Sequence, residues 1–170
     1  MNPSEAVAYL NRWYGSHERV EPLLAIMQDM EPREALELFR DEWSGCDDTR
    51  AYTTHVVDTL EAISYDLDWR DVLTDDDRKK FDALPDQIMV WRGSDESTIK
   101  GACWSLDRKV AEKFARGHRM MCNPRPTLAR AVVSKWDVLF FFTDRNESEV
   151  LLDPFDLPEM EIVSVKGAAA

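Results

Sequence analysis

The amino-acid sequence predicts an α+β fold in which a helical N-terminal region precedes a strand-rich unit. Three observations carry that expectation: helix caps and a 3.6-residue apolar period through residues 1–84, a change to short bulky runs after Pro85, and the absence of strand–helix alternation. At 170 residues and 19.7 kDa the chain is long enough to bury a sizeable core in one domain with a helical extension.

Asn2, Pro3 and Glu5 have the form of an N-cap, a first-turn proline and a capping-box acid, and Gly15 stops the helix after Val7, Leu10, Trp13 and Tyr14. A shorter helix joins Pro22 to Asp29. Pro32 opens the next, whose Ala35, Leu36, Leu38, Phe39 and Trp43 form a broad stripe ended by Ser44-Gly45. A longer helix runs from about Thr49 to Tyr65 with Val56, Val57, Leu60 and Ile63 on its buried side. Thr74 with Asp77 is another capping box, for a short helix closed by Pro85. Residues 1–84 are expected to pack as an acidic helical region on a core formed by residues 85–170.

In that core, Gln87 to Gly93 reads as a strand halted by glycine, and Cys103 to Leu106 as a further strand or turn. Asp107 then caps a helix containing Val110, Ala111, Phe114 and Ala115. Strands follow at Leu128–Val133, Val138–Phe142, Val150–Leu152 and Glu161–Val165.

The net charge is -12, and it is unevenly spread. Residues 1–84 carry 9 Lys/Arg against 20 Asp/Glu, whereas from Lys100 to Lys135 there are 9 basic residues against only Asp107 and Glu112. The basic stretch would attract an anionic ligand, or would be a solvated helix face. The acidic remainder argues against broad nucleic-acid binding, which requires extended phosphate neutralisation. No apolar run approaches the roughly 20 residues that span a bilayer, and the N-terminus lacks the pattern of a signal peptide, so the expected location is the cytoplasm. Cys46, Cys103 and Cys122 form no CxxC pair, and His17, His55 and His118 show no metal-ligand spacing, so no metal is expected. Asp75-Asp76-Asp77 reads as helix-start charge.

The most informative step is Glu147-Ser148-Glu149, leading into the apolar Val150-Leu151-Leu152. Alternation along a strand puts Glu147 and Glu149 on one face, where crowding like charges raises the pKa of at least one. Such a pair fits catalysis, or a charged strand edge that resists aggregation. Two further landmarks precede it: Val90-Trp91-Arg92-Gly93, and Gly101 to Asp107 followed by Val110-Ala111 and Phe114-Ala115.

In order and spacing, these three landmarks resemble the mono-ADP-ribosyltransferase family of the Arg-Ser-Glu type, cholera-toxin-like, over about residues 85–165. In that family a strand Arg, a Ser-Thr-Ser strand and a Glu-x-Glu loop form the NAD site. Where the family has Ser-Thr-Ser this chain has Cys103-Trp104-Ser105, so only Ser105 carries a matching hydroxyl. The resemblance implies a two-sheet β-sandwich core with NAD as co-substrate, and a phage or bacterial toxin setting in which the host cytoplasm is a possible address. Arg92 would bind the NAD phosphates with its fork of donors, unless it serves an ion pair with Asp86 or Asp95. Gly93 would let the backbone approach the dinucleotide. Ser105 would sit beside the nicotinamide ribose, or act as a local cap. Trp91 or Trp104 would stack on nicotinamide or adenine, or pack in the core. Glu149 corresponds to the catalytic Glu, and Glu147 to the residue that orients an arginine acceptor and takes its proton. Asp144-Arg145-Asn146 reads as a turn before the pair.

The implied activity is transfer of ADP-ribose from NAD to a protein target, on arginine, with release of nicotinamide. The acidic helical region would recognise the target or cover an edge of the NAD cleft. An NAD glycohydrolase and a catalytically inactive protein-binding module are the alternatives; modification of a nucleic-acid base is disfavoured by the charge.

Overall fold

The computed structural model describes residues 1–47, 49–65, 67–117, 123–144 and 148–163. The chain divides into two compact units, Met1–Lys79 and Lys80–Ala170. The first contains α1 (Pro3–Trp13), α2 (Val20–Gln28), α3 (Pro32–Glu42) and α4 (Thr53–Ser64), with short 3-10 turns at Trp43–Gly45, Arg50–Tyr52 and Trp69–Val72. The capping box of α1 is complete: the Glu5 amide donates to Asn2 Oδ1 at 2.9 Å, and the Asn2 amide to Glu5 Oε2 at 3.0 Å. The second helix starts at Val20, ahead of Pro22, because a first-turn proline forfeits no helical hydrogen bond. The fourth starts at Thr53 instead of Thr49 because a 3-10 turn takes up the intervening residues.

Helix α3 is central to this unit and contacts α1, α2 and α4. Leu10, Leu23, Met27, Leu36, Leu38, Phe39 and Leu60 are sealed from solvent around it. One ion pair lies in this apolar setting. Arg19 Nη1 donates to Glu42 Oε2 at 3.0 Å and Nη2 to the Tyr14 carbonyl at 3.1 Å. Burial pushes the Glu42 carboxyl above its ordinary value, against the opposing pull of Arg19.

A fifth helix, α5 (Asp75–Asp82), spans the division between the units. Its start is set by Thr74, whose Oγ1 accepts the Asp77 amide at 3.2 Å. Its end belongs to the second unit, so the division falls before the expected break at residue 84. The reason is packing: Phe81 meets the Phe141 ring at 5.6 Å, and Lys135 Nζ donates to the carbonyls of Asp82 and Leu84 at 3.3 and 2.8 Å.

The second unit contains β1 (Gln87–Asp95), β2 (Cys103–Ser105), α6 (Arg108–Ala115), β3 (Pro126–Ser134), β4 (Phe140–Phe142), β5 (Glu149–Leu151) and β6 (Glu161–Val163). The protein is therefore α+β. The strands form a single antiparallel sheet ordered β4-β5-β2-β1-β3-β6, where two sheets had been expected. The join between β1 and β2 is short. From Gln87↔Ser134 to Asp95↔Pro126, β1 and β3 pair along their whole length, whereas β1 meets β2 at one residue pair, Trp91↔Ser105. That narrow seam joins a β4-β5-β2 half to a β1-β3-β6 half.

Strand β1 does not halt at Gly93 as the sequence suggested; it runs on to Asp95, whose carboxylate anchors the far end. Asp95 Oδ1 accepts from Ser97 Oγ at 2.6 Å and from the Ser97 amide at 3.1 Å, and Oδ2 accepts the Arg125 amide at 2.8 Å. One face of the sheet is closed by Ile88, Val90, Ala129, Ala131, Val133, Trp104, Val150 and Phe141, all buried. The other carries α6. No helix among the described residues is long and apolar enough to cross a membrane.

The hydrogen bonds to Asp95, led by the Ser97 hydroxyl and followed by the amides of Arg125 and Ser97, lower its pKa from 3.8 to about 2. A carboxylate with a depressed folded-state pKa stabilises the protein fully above its unfolded value and loses that contribution as pH falls through the folded one. The wild type should therefore lose stability between roughly pH 4 and pH 2 with a slope that Asp95→Asn reduces, as measured by urea denaturation at stepped pH.

Candidate functional site

The strand register assembles a transverse row on the face that carries α6. Directly opposed residues in antiparallel strands project to the same side of a sheet. Phe142 on β4 faces Glu149 on β5, Glu149 faces Ser105 on β2, Ser105 faces Trp91 on β1, Trp91 faces Arg130 on β3, and Arg130 faces Glu161 on β6. Ser105 and Glu149, 44 positions apart in the sequence, thereby become neighbours. The β2–β5 contact is extended at both ends by Leu106 N to Ser148 O at 2.9 Å and Leu152 N to Ala102 O at 3.0 Å. Glu149 opens its strand and is half-buried; Ser105 is buried. The Ser105 hydroxyl oxygen accepts the Asp107 amide at 3.0 Å, so it serves as the local cap foreseen as its structural role.

Arg92 belongs by alternation to the opposite face. It is buried, and its guanidinium is directed at main chain: Nε donates to the Ile99 carbonyl at 2.9 Å, Nη1 to Cys103 at 2.6 Å and Nη2 to Thr98 at 3.2 Å. A Cβ at Gly101 would stand 2.5 Å from the Arg92 Cζ, so this glycine is what lets the fork lie against the loop backbone. Beside the expected role of Arg92 in holding a dinucleotide phosphate, the structure gives it a structural duty at these carbonyls. Its three nitrogens bond the carbonyls of Ile99, Cys103 and Thr98, tying β2 and the connecting loop to β1.

Gly93 also carries a structural duty. A Cβ there would overlap the Ala111 carbonyl oxygen and stand 2.6 Å from the Ala115 nitrogen. The space above Gly93 is filled by the backbone of α6, and the residue serves close helix–strand packing. Trp104 is 1% exposed, on the Arg92 side of the sheet, with Nε1 donating to the Gly101 carbonyl at 2.9 Å, the core position given as its alternative. Trp91 is buried with Ala111, Ala115 and Leu128, and the Arg108 guanidinium lies over its ring at 5.1 Å from the centroid. The face proposed for stacking is thus taken by a cation.

Glu147 lies outside the described residues, as do Arg145 and Asn146 of the expected turn, Cys122, His118 and the end of the last expected strand. Arg108, within the basic stretch, follows the Asp107 cap on the helix that packs across Trp91. It lies within the row's surroundings, and its Nε donates to Glu112 Oε1 at 2.8 Å.

No family model, curated protein or solved structure matches the chain.

Two substitutions separate the packing roles from ligand roles. Arg92→Lys should destabilise the strand unit by about 2–4 kcal/mol, since one ammonium cannot reach three carbonyls and each buried group left unpaired costs about 1–3 kcal/mol. The measurement is urea denaturation followed by tryptophan fluorescence. Gly93→Ala should cost about 1–3 kcal/mol by overpacking against α6, read as a lower urea midpoint in the absence of any ligand.

Proposed function

We propose that the second unit is an NAD-dependent mono-ADP-ribosyltransferase that works through Glu149, with an arginine of a protein target as acceptor. The observation that carries this reading is the direct register pairing of Ser105 with Glu149, which brings two of the three landmark motifs together on one face. In the proposed reaction the C1′–N bond of the nicotinamide riboside moiety breaks and its electron pair leaves with neutral nicotinamide. The ribose is left with oxocarbenium character, as in glycoside hydrolysis. A carboxylate at that carbon stabilises the charge as it develops, so the protein's contribution is positioning and electrostatics, with no general acid needed for departure. The acceptor guanidine nitrogen then supplies the electron pair for the new bond to C1′ and releases a proton, which Glu147 would take. The short β1–β2 join is consistent with the two-sheet core of the family, with the seam as the joint between halves.

Arg92 enters this proposal as the residue that shapes the loop beside the row. A second reading has specific support: Arg92, Gly93, Ser105 and Trp104 all carry structural duties, as they would in a protein-binding module that kept a fold of this kind without its chemistry. An NAD glycohydrolase would differ only in using water as the acceptor.

Incubation with labelled NAD and a cell lysate distinguishes the three. Transferase activity gives labelled protein together with nicotinamide. Release of nicotinamide without labelled protein identifies the glycohydrolase, and neither product leaves the binding module. Glu149→Gln should lower nicotinamide release by roughly a hundredfold or more while preserving the urea midpoint, since it removes a charge aimed at the transition state and little volume. A variant as active as wild type would exclude Glu149 from the chemistry.

A further inference from the structure

We infer that Arg108, the first residue of α6, is the group that binds the phosphates of a dinucleotide at the Trp91–Ser105–Glu149 row. This rests on the proposed NAD chemistry and assigns it a cation that the sequence motifs do not indicate. An anionic substrate on this face needs a positive group whose donors are accessible. Four described arginines of the strand unit differ sharply in that respect. Arg92 is directed at three main-chain carbonyls. The fork of Arg130 is closed on Glu161, with Nε and Nη2 at 2.9 and 2.7 Å from Oε2. Arg125 pairs with Glu96 at 2.8 Å. Arg108 is held by one edge only. Its Nε meets Glu112 at 2.8 Å, and both Nη groups are without a hydrogen bond among the described residues, on a side chain 39% exposed.

Its position is set from two sides. Glu112, one turn along the same helix, fixes the Nε edge, and the Trp91 ring supports the guanidinium from below. Trp91 is the register partner of Ser105, and the Ser105 hydroxyl accepts the amide of Asp107, the residue before Arg108. The cation therefore overlies the row beside Ser105. A planar guanidinium presenting two Nη groups suits bidentate recognition of phosphate oxygens, and its partial hydration lowers the cost of exchanging water for an anion. Glu112 also receives Arg116 at 3.7 Å, so its single charge is divided between two guanidinium groups. Arg108 also belongs to the stretch from Lys100 to Lys135, in which basic residues outnumber acidic ones.

The experiment compares nicotinamide release from NAD and from nicotinamide riboside, which has the same scissile bond and no phosphate. Arg108→Gln should raise KM for NAD about tenfold or more with kcat nearly unchanged, and leave kcat/KM for nicotinamide riboside as in wild type; Arg108→Lys should recover part of the NAD effect. A purely structural role would lower turnover of both substrates together and shift the urea midpoint. Equal effects on both substrates, or none on either, would overturn the inference while leaving the NAD chemistry intact. ADP-ribose binding by calorimetry covers a protein without turnover: weaker binding by Arg108→Gln supports the phosphate site, and unchanged binding overturns it. A wild type that neither binds ADP-ribose nor releases nicotinamide from NAD overturns both the inference and the reading beneath it.

Discussion

The guanidinium of Arg92 spans the place where the strand layer is weakest. Strands β1 and β2 share one residue pair, so the sheet has almost no backbone ladder between its halves. Carbonyls at such a gap are costly if left unpaired in a buried setting. Arg92 meets that requirement with a side chain, donating to Cys103 on β2 and to Thr98 and Ile99 in the connecting loop. Lysine carries the same charge but not the directed fork, and a residue larger than glycine at position 101 would push the fork away.

Everything on the opposite face takes its position from that closure. With β2 held beside β1, the pairing Trp91↔Ser105 brings Glu149 into the same row, because β5 is paired to β2 at Ser105. Gly93 then admits α6 at backbone contact distance, which places Arg108 over Trp91. Two glycines therefore do complementary work, one on each side of the seam. Gly101 makes room for the Arg92 side chain, and Gly93 makes room for a helix.

Much of the fold was legible in the sequence because local signals agreed. The Asn2–Glu5 and Thr74–Asp77 caps, the α3 stripe and the Asp107 cap of α6 all act within one or two turns, where sequence spacing is spatial proximity. Strand identities were legible for the same reason. What was not legible is long-range: whether Gly93 stops a strand or receives a helix depends on where α6 docks, and the partners of Arg92 depend on the shape of a loop. Glu149 stands out through the pattern around it, whereas its pairing with Ser105 is a long-range contact that no local spacing gives. Arg108 does not stand apart within the basic stretch, because an arginine after a helix cap resembles any solvated cation until the ring beneath it is known.

Burial explains why the arginine most conspicuous in the sequence and the arginine best placed for an anion are different residues. For Arg92 to grip a phosphate, bonds to carbonyls would have to break inside a region that excludes water, and those carbonyls would then be stranded. The phosphate would thus have to replace the function that keeps β2 beside β1. At Arg108 the exchange is with solvent at the Nη groups, while the Nε–Glu112 bond and the Trp91 contact can persist. A ligand charge there adds to the existing structure without competing with it. A buried arginine that holds the sheet and a half-exposed arginine whose Nη groups face solvent are set apart by the geometry of one seam and one helix start.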